Sequence, residues 1–411
     1  MSRREPRVPP LAAAASQIGG QPMFKLLERA QQLERAGRSI LHFEIGDPDF
    51  DTPTHIVDAA VEALRAGRTH YVSSVGIPEL REAICEATRR DLGFRPTARQ
   101  VMMIPANAVI YFALRCVVNP GDDVLVPDPG FSTYYSAIAF VGANPVRVPL
   151  RERNGFRMAP EDVRRCVTPQ TRLIIINSPH NPTGAVMTKD EVLAVGALAK
   201  EQNAFLLTDE VYRKVSYGEG IPPSPSVLDR CVERTIILNS FSKSHAMAGW
   251  RLGYAIGPER VIDKMGLLLQ TILSCLPPFI QQAGLAALRE ESEGTVRAMV
   301  EELRRRRQAI VDGLNQLPGV TCPMPGGAFY VFPNIEGTGR TDKEFSEEML
   351  EEAGVALLPG SDFAPAGQGH ARLCYTTSLE TIREGLSRMR AVLEARPPTR
   401  RRKRPVPAVP A

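Results

Sequence analysis

The chain has no CxxC pair, no HExxH or other clustered histidine spacing, and no apolar run long enough to span a bilayer. Its seven cysteines, at 85, 116, 166, 231, 275, 322 and 374, are odd in number and widely scattered. Neither a disulfide framework nor a metal site is expected, and the expected compartment is a reducing one, the cytoplasm. The most apolar later segment, 266–280, is interrupted by Gln270, Pro277 and Pro278 and cannot cross a membrane as one helix. Near the start, the run LAAAA is too short for the apolar core of a secretory signal. Excess charge of one sign is also missing, except in one place. Residues 396–411 hold six Arg and Lys and no acid, and without them the net charge of +4 becomes −2. The total charge therefore implies no basic face for nucleic acid, and no nucleic-acid partner is expected.

What is there is ordinary for a globular chain: 411 residues, 43% hydrophobic and 23% charged. That length suggests two domains, or a large one with a smaller companion. Residues 1–20 read as an N-terminal arm and 396–411 as a disordered basic, Pro-rich tail, since neither has a hydrophobic period. No internal repeat is visible. Strands are expected at 101–104, 123–127, 145–149, 172–177, 204–208, 235–238 and 251–256. Runs such as LIII at 173–176 suit strands covered on both faces, and helical stretches fit between them, as at 188–202 behind a Thr cap. Seven strands with interleaved helices argue for an α/β fold with a doubly wound, mostly parallel sheet. After a long charged helix at about 290–317, strands at 323–333 and 371–377 and helices at 342–353 and 379–395 suggest a smaller α+β layer. The expected division is a large domain at 51–299 and a small one combining 21–50 with 300–395.

In such a sheet, ligands sit beyond the carboxyl ends of the strands. Four features fall there. SPHNPTG (178–184) follows one strand; LLTDEVY (206–212) ends another at Asp209, with Tyr212 three residues on. LNSFSKSHAMAGWRLGY (238–254) carries Ser240, Ser242, Lys243 and Arg251, and a fourth strand enters a helix at Ala106–Asn107. A lysine among hydroxyls and an arginine suits a carbonyl-reactive amine near an anion. A helix N-terminus built of small residues offers N–H groups to a phosphate, and Arg251 adds a charged fork. Asp209 can hold a positive ring nitrogen, and Asn181 and Tyr212 can donate to a phenolate oxygen. Those are the functional groups of pyridoxal 5′-phosphate. Each residue has a bland alternative as well. Lys243 alone reads as a surface lysine, Asp209 as a helix cap, Asn181 before Pro182 as turn chemistry, and Tyr212 and Phe131 as core aromatics.

Taken together, HNPTG, TDEVY and SFSKSHAMAGWRLG, in this order and spacing, resemble the fold-type I pyridoxal-phosphate enzymes of the class I/II aminotransferase family, in its aspartate-aminotransferase-like branch. The resemblance spans about 22–395. It implies that Lys243 forms the internal aldimine with the cofactor and then moves the α-proton, and that Asp209 pairs with the ring nitrogen. It assigns the phenolate oxygen to Asn181 and Tyr212. The phosphate falls to Ser240, Ser242, Arg251 and the backbone at Ala106 and Asn107. Phe131 would stack on the ring, and Tyr71 would reach the phosphate of a neighbouring subunit in a homodimer. Arg372 would clamp the substrate carboxylate, and Gly46 would line the substrate pocket with its backbone. The implied reaction moves an amino group between an L-amino acid and a 2-oxo acid. The same residues serve elimination, decarboxylation or oxidation of an amino acid, which stands as the alternative.

Two departures from the family pattern are visible. The run entering the phosphate-binding helix, Met103 to Asn107, is one residue short and lacks its glycine. Asn107 also stands where the aspartate-selective bacterial branch often has a lysine, which weakens the expectation of a dicarboxylate substrate.

Overall fold

A computed structural model describes residues 9–12, 15 and 19–396; the basic tail beyond 396 and part of the N-terminal arm lie outside the described residues. Twelve strands are found among the described residues. They are β1 (Leu41–His42), β2 (Val101–Met103), β3 (Asp123–Asp128), β4 (Asn144–Pro149), β5 (Thr171–Asn177), β6 (Phe205–Asp209), β7 (Thr235–Ser240), β8 (Gly253–Ile256), β9 (Tyr330–Val331), β10 (Val355–Ala356), β11 (Leu358–Pro359) and β12 (Ala371–Cys374). Seven of them form one sheet in the order β2-β8-β7-β6-β5-β3-β4. The apolar run in β5 sits in the middle of it, with Leu173 to Ile176 essentially inaccessible, as a strand covered on both faces requires.

Pairing is parallel from β7 through β6, β5 and β3 to β4. Strand β8 runs antiparallel to both of its neighbours, β2 and β7. The reversal has a direct consequence for the site. The start of β8 at Gly253 lies opposite Ser240, the last residue of β7, while Tyr254 lies opposite Met103, the last residue of β2. One edge of the sheet thus collects the carboxyl ends of β2, β3, β5, β6 and β7 together with the amino end of β8.

Helices cover both faces. Helix Lys189–Glu201 starts on the expected threonine: Thr188 accepts from the Glu191 amide, and the Glu191 carboxylate accepts from the Thr188 amide. Helix Ala106–Val117 follows β2 after only Ile104 and Pro105. Smaller sheets lie beside the large one: β1 pairs in parallel with β10, and β12 is flanked by β11 and β9. The small-sheet core gathers Phe329, Val331, Leu373 and Tyr375 against Leu303 and Ile310 of helix Glu290–Leu314.

Several boundaries differ from the sequence reading. The strand expected from Arg251 begins at Gly253, because Arg251 has left-handed backbone with φ 56°. The region 323–333 yields only Tyr330–Val331, since Gly326, Gly327 and a left-handed Ala328 break the extended run. The helix expected over 342–353 closes with a wider π turn at Met349–Ala353 before Gly354, φ 64°. Helix Leu379–Ala395 has the expected bounds.

Candidate active site

Along the collecting edge lies a cavity of about 260 Å³. Lys243, Asp209, Tyr212, Asn181, Ser240, Ser242, Arg251, Ala106, Asn107, Phe131 and Gly46 all line it. Eleven residues chosen from separate motifs therefore meet in one space.

Lys243 belongs to the one-turn helix Phe241–Ser244 that follows β7, and its Nζ donates to the Gly46 carbonyl oxygen at 2.6 Å. Burial lowers its pKa below the usual lysine value, while Asp47 pulls in the opposite direction. Opposite the amine, Asp209 ends β6. It accepts from the Tyr134 hydroxyl at 2.6 Å and from the Val211 amide at 3.3 Å, both neutral donors. Desolvation pushes its carboxyl up to about 6, and the Tyr134 bond works against that rise. A buried carboxylate held only by neutral donors gains from a cationic N–H.

The third corner is built for an anion. Ser240 donates to the Ser242 hydroxyl at 2.7 Å and accepts from the Ser242 amide at 2.9 Å, which tightens the turn after β7. Helix Ala106–Val117 opens on Pro105 without a side-chain cap, so its first N–H groups face the cavity wall. The backbones crowd closely: a Cβ on Gly253 would sit 3.0 Å from the Ile104 carbonyl and 3.1 Å from the Ala106 amide. Only Ile104 and Pro105 separate β2 from this helix. Arg251, an exposed residue that lines the cavity, has left-handed backbone and donates to the Ala248 carbonyl at 2.6 Å.

Arg372 does not line the cavity itself, but it is fully buried and donates to Asn181 Oδ1 at 3.3 Å, which does. Its second recorded bond goes to the Glu44 carbonyl, and its Nε has no partner. The guanidinium lies between two rings, 4.6 Å from the Tyr330 centroid and 4.9 Å from that of Phe363. Both acceptors are neutral, a setting in which a buried guanidinium would favour an anionic ligand.

Tyr71 is not brought to the cavity; its side chain is 86% exposed on this chain's surface. His180 and His245, adjacent to the motifs, are buried away from the cavity. Desolvation takes both down to about 3, and they bond Thr183 and Ser244. Sequence reasoning missed Tyr134, Tyr330, Asp47, and Gln21, Met23 and Phe24 at the start of helix Pro22–Arg35, all of which line the cavity. Tyr134 was within reach, because it follows Phe131 by three residues at a helix start and so shares its face. No periodic signal marks the other residues.

The residues present fit pyridoxal 5′-phosphate: an amine, a carboxylate without a cationic partner, a hydroxyl and an amide, and an uncapped helix start. The family model described as aminotransferase class I and II matches residues 38–389. The aromatic-amino-acid aminotransferase 2 of Thermococcus litoralis is 42% identical over 90% of this chain and 95% of its own length. The aspartate aminotransferase of Pyrococcus horikoshii is 40% identical over 90% and 94%. Among solved structures, the aspartate aminotransferase from Thermus thermophilus with maleate superposes with a TM-score of 0.90 at 36% identity, covering 94% of this chain and all of that one.

Proposed function

The chain belongs to the class I and II aminotransferases, and from that premise we propose how its residues divide the transfer of an amino group from an amino acid to a 2-oxo acid. The protein is a pyridoxal-phosphate-dependent aminotransferase. When bound, the cofactor supplies an aldehyde that takes up the amino group and a ring that draws electrons from the α-carbon.

In our reading Lys243 takes the proton from the substrate's α-carbon and would deliver it to the carbon that carried the aldehyde. Burial favours its neutral form, and the 2.6 Å bond to the Gly46 carbonyl holds the amine at the cavity wall. Asp209, braced by Tyr134, holds the ring nitrogen in its protonated form. Asn181 and Tyr212 donate to the phenolate oxygen. Ser240, Ser242, Arg251 and the amides of Ala106 and Asn107 carry the phosphate, and Phe131 covers the ring. Arg372, a planar fork clamped between two aromatic faces, takes the substrate carboxylate in two bonds. The observation that carries this reading is the meeting of Lys243, Asp209 and Tyr212 in one cavity beside a buried guanidinium bonded only to neutral oxygens.

For the substrate side chain we propose a neutral, apolar or aromatic group. Met23, Phe24 and Ile45 line the cavity, and among the described residues its only cations are Lys243 and Arg251, both already assigned. We propose a homodimer. The exposed Tyr71, with Leu267, Ile272 and Leu273 exposed on helix Glu259–Leu273, supports a partner-facing surface. A fully active monomer in light scattering would contradict it. The division into a large unit at 51–299 and a small one from 21–50 and 300–395 is likewise our proposal, supported by the β1–β10 pairing. The cytoplasm is proposed on the scattered, unpaired cysteines.

The test is a single-turnover experiment. Cofactor-loaded protein is mixed with a panel of amino acids and no oxo acid, and the cofactor and products are followed by absorbance and mass spectrometry. One oxo acid released per site, with the aminated cofactor formed, is expected from phenylalanine or leucine in preference to aspartate. Sustained ammonia or carbon dioxide release would overturn the assignment.

A further inference from the structure

Tyr330 touches several parts of the site and has no task in the scheme above. It lines the cavity while being almost completely buried. Its hydroxyl lies 2.8 Å from that of Tyr212, and the Arg372 guanidinium covers its ring. Gly46 holds it from a third side: a Cβ at Gly46 would collide with the Tyr330 oxygen.

Each hydroxyl has one proton to give. If Tyr212 spends its proton on Tyr330, it has none for a ligand in the cavity; if Tyr330 donates, the Tyr212 proton is free to point inward. Burial raises both phenols; the Arg372 charge works against that rise at each, and it lies directly over the Tyr330 ring. A cation beside a phenol strengthens it as a donor.

We propose that Tyr330 is a positioning residue that donates to the Tyr212 oxygen, so that the Tyr212 proton is turned toward the cofactor's phenolate oxygen and the donor is joined to the carboxylate-binding Arg372. This rests on the role given to Tyr212 above. The chain Arg372–Tyr330–Tyr212 lets neutralisation of the guanidinium by a substrate carboxylate be felt, through two phenols, at the cofactor.

The test uses Tyr330→Phe, which keeps the ring under Arg372 and removes the hydroxyl. In the cofactor-loaded full-length protein, visible absorbance against pH reports the proton on the nitrogen that joins Lys243 to the cofactor. Losing that proton leaves the phenolate charge unbalanced, so a weaker Tyr212 donor makes the loss harder. The absorbance midpoint is expected to rise by about half to one pH unit. Tyr212→Phe should raise it further, and the double variant should match Tyr212→Phe alone, because Tyr330 acts only through Tyr212. A Tyr330→Phe midpoint equal to the wild type, or shifts that add in the double variant, would overturn the relay and leave the function standing. A wild-type protein without any pH-dependent cofactor absorbance would overturn the Tyr212 role and the relay together.

Discussion

Removing the hydroxyl of Tyr134 with Tyr134→Phe tests the carboxylate end of the site by itself. The ring remains and the packing volume is nearly kept, so the change is confined to one bond of 2.6 Å between a neutral donor and Asp209. A hydrogen bond to a charged group is worth about 1.5–3 kcal/mol, and one pKa unit corresponds to about 1.4 kcal/mol. Asp209 already sits at about 6 because of desolvation, with the Tyr134 bond holding it down. Its loss should carry the carboxyl up by about one to two units, so that at neutral pH it is largely protonated and offers no charge to a ring N–H. Cofactor affinity at pH 6.5–7 should fall about tenfold. Near pH 9 both proteins hold the carboxylate and the gap should narrow toward twofold. The single tryptophan gives the assay: Trp250 precedes Arg251 at the cavity edge, and quenching of its fluorescence on cofactor titration yields Kd. Equal Kd values at both pH values would refute the argument. A tenfold gap that did not change with pH would refute it too, because that is the mark of disturbed packing.

Lys243→Ala should abolish transfer between amino acid and 2-oxo acid in a steady-state assay while the protein still folds; a detectable full cycle would remove Lys243 from its role. Arg372→Lys keeps the charge and loses the fork, so kcat/KM for amino acids should fall by about two orders of magnitude, chiefly through KM; an unchanged KM would disconnect Arg372 from the carboxylate. His42, bonded to Glu44 at 2.7 Å and to Glu34 at 3.1 Å, is raised to about 9, first by the Glu44 bond. Its stabilising contribution is complete below about pH 6.5 and disappears as pH rises through 9. The melting temperature of the wild type should therefore drop more between pH 6.5 and 9.5 than that of His42→Asn, and parallel curves would refute it.

The large sheet was readable because its signals are local: continuous apolar runs such as Leu173–Ile176, and turns that begin where those runs end. Lys243, Asp209 and Asn181 were readable for the same reason, since each closes or follows such a run. The small sheets were less so. Tyr330–Val331 is too short for alternation to show, and left-handed Ala328 and Arg251 displace the expected bounds by tertiary packing that no local pattern records. The roles of Tyr134 and Tyr330 depend on which side chains meet across the cavity, at separations of 75 and 118 residues from their partners. A lining made by helix Pro22–Arg35 is equally long-range, because Gln21 bonds Thr133 and Met23 packs against the large-sheet core more than a hundred residues away.

The antiparallel β8 also bears on how firmly the site is held. Met103, Gly253 and Ser240 sit on three neighbouring strands, with Ile104 bonded to the Gly253 carbonyl at 2.9 Å. The strand ends beneath the anion corner are therefore fixed to one another by the sheet's own ladder. Arg372 rides on β12 in a different sheet, tied to this edge by side-chain and loop bonds such as Arg372–Asn181, Tyr330–Tyr212 and the Gly130 amide to the Phe363 carbonyl, with no strand ladder between the two sheets among the described residues. Hydrogen exchange should divide the molecule along that line, with amides of β7 and β8 exchanging only on global unfolding and those of β11 and β12 earlier. Amino acids could then enter and leave while the cofactor stays, a kinetic separation that a two-substrate cycle on one retained carrier requires.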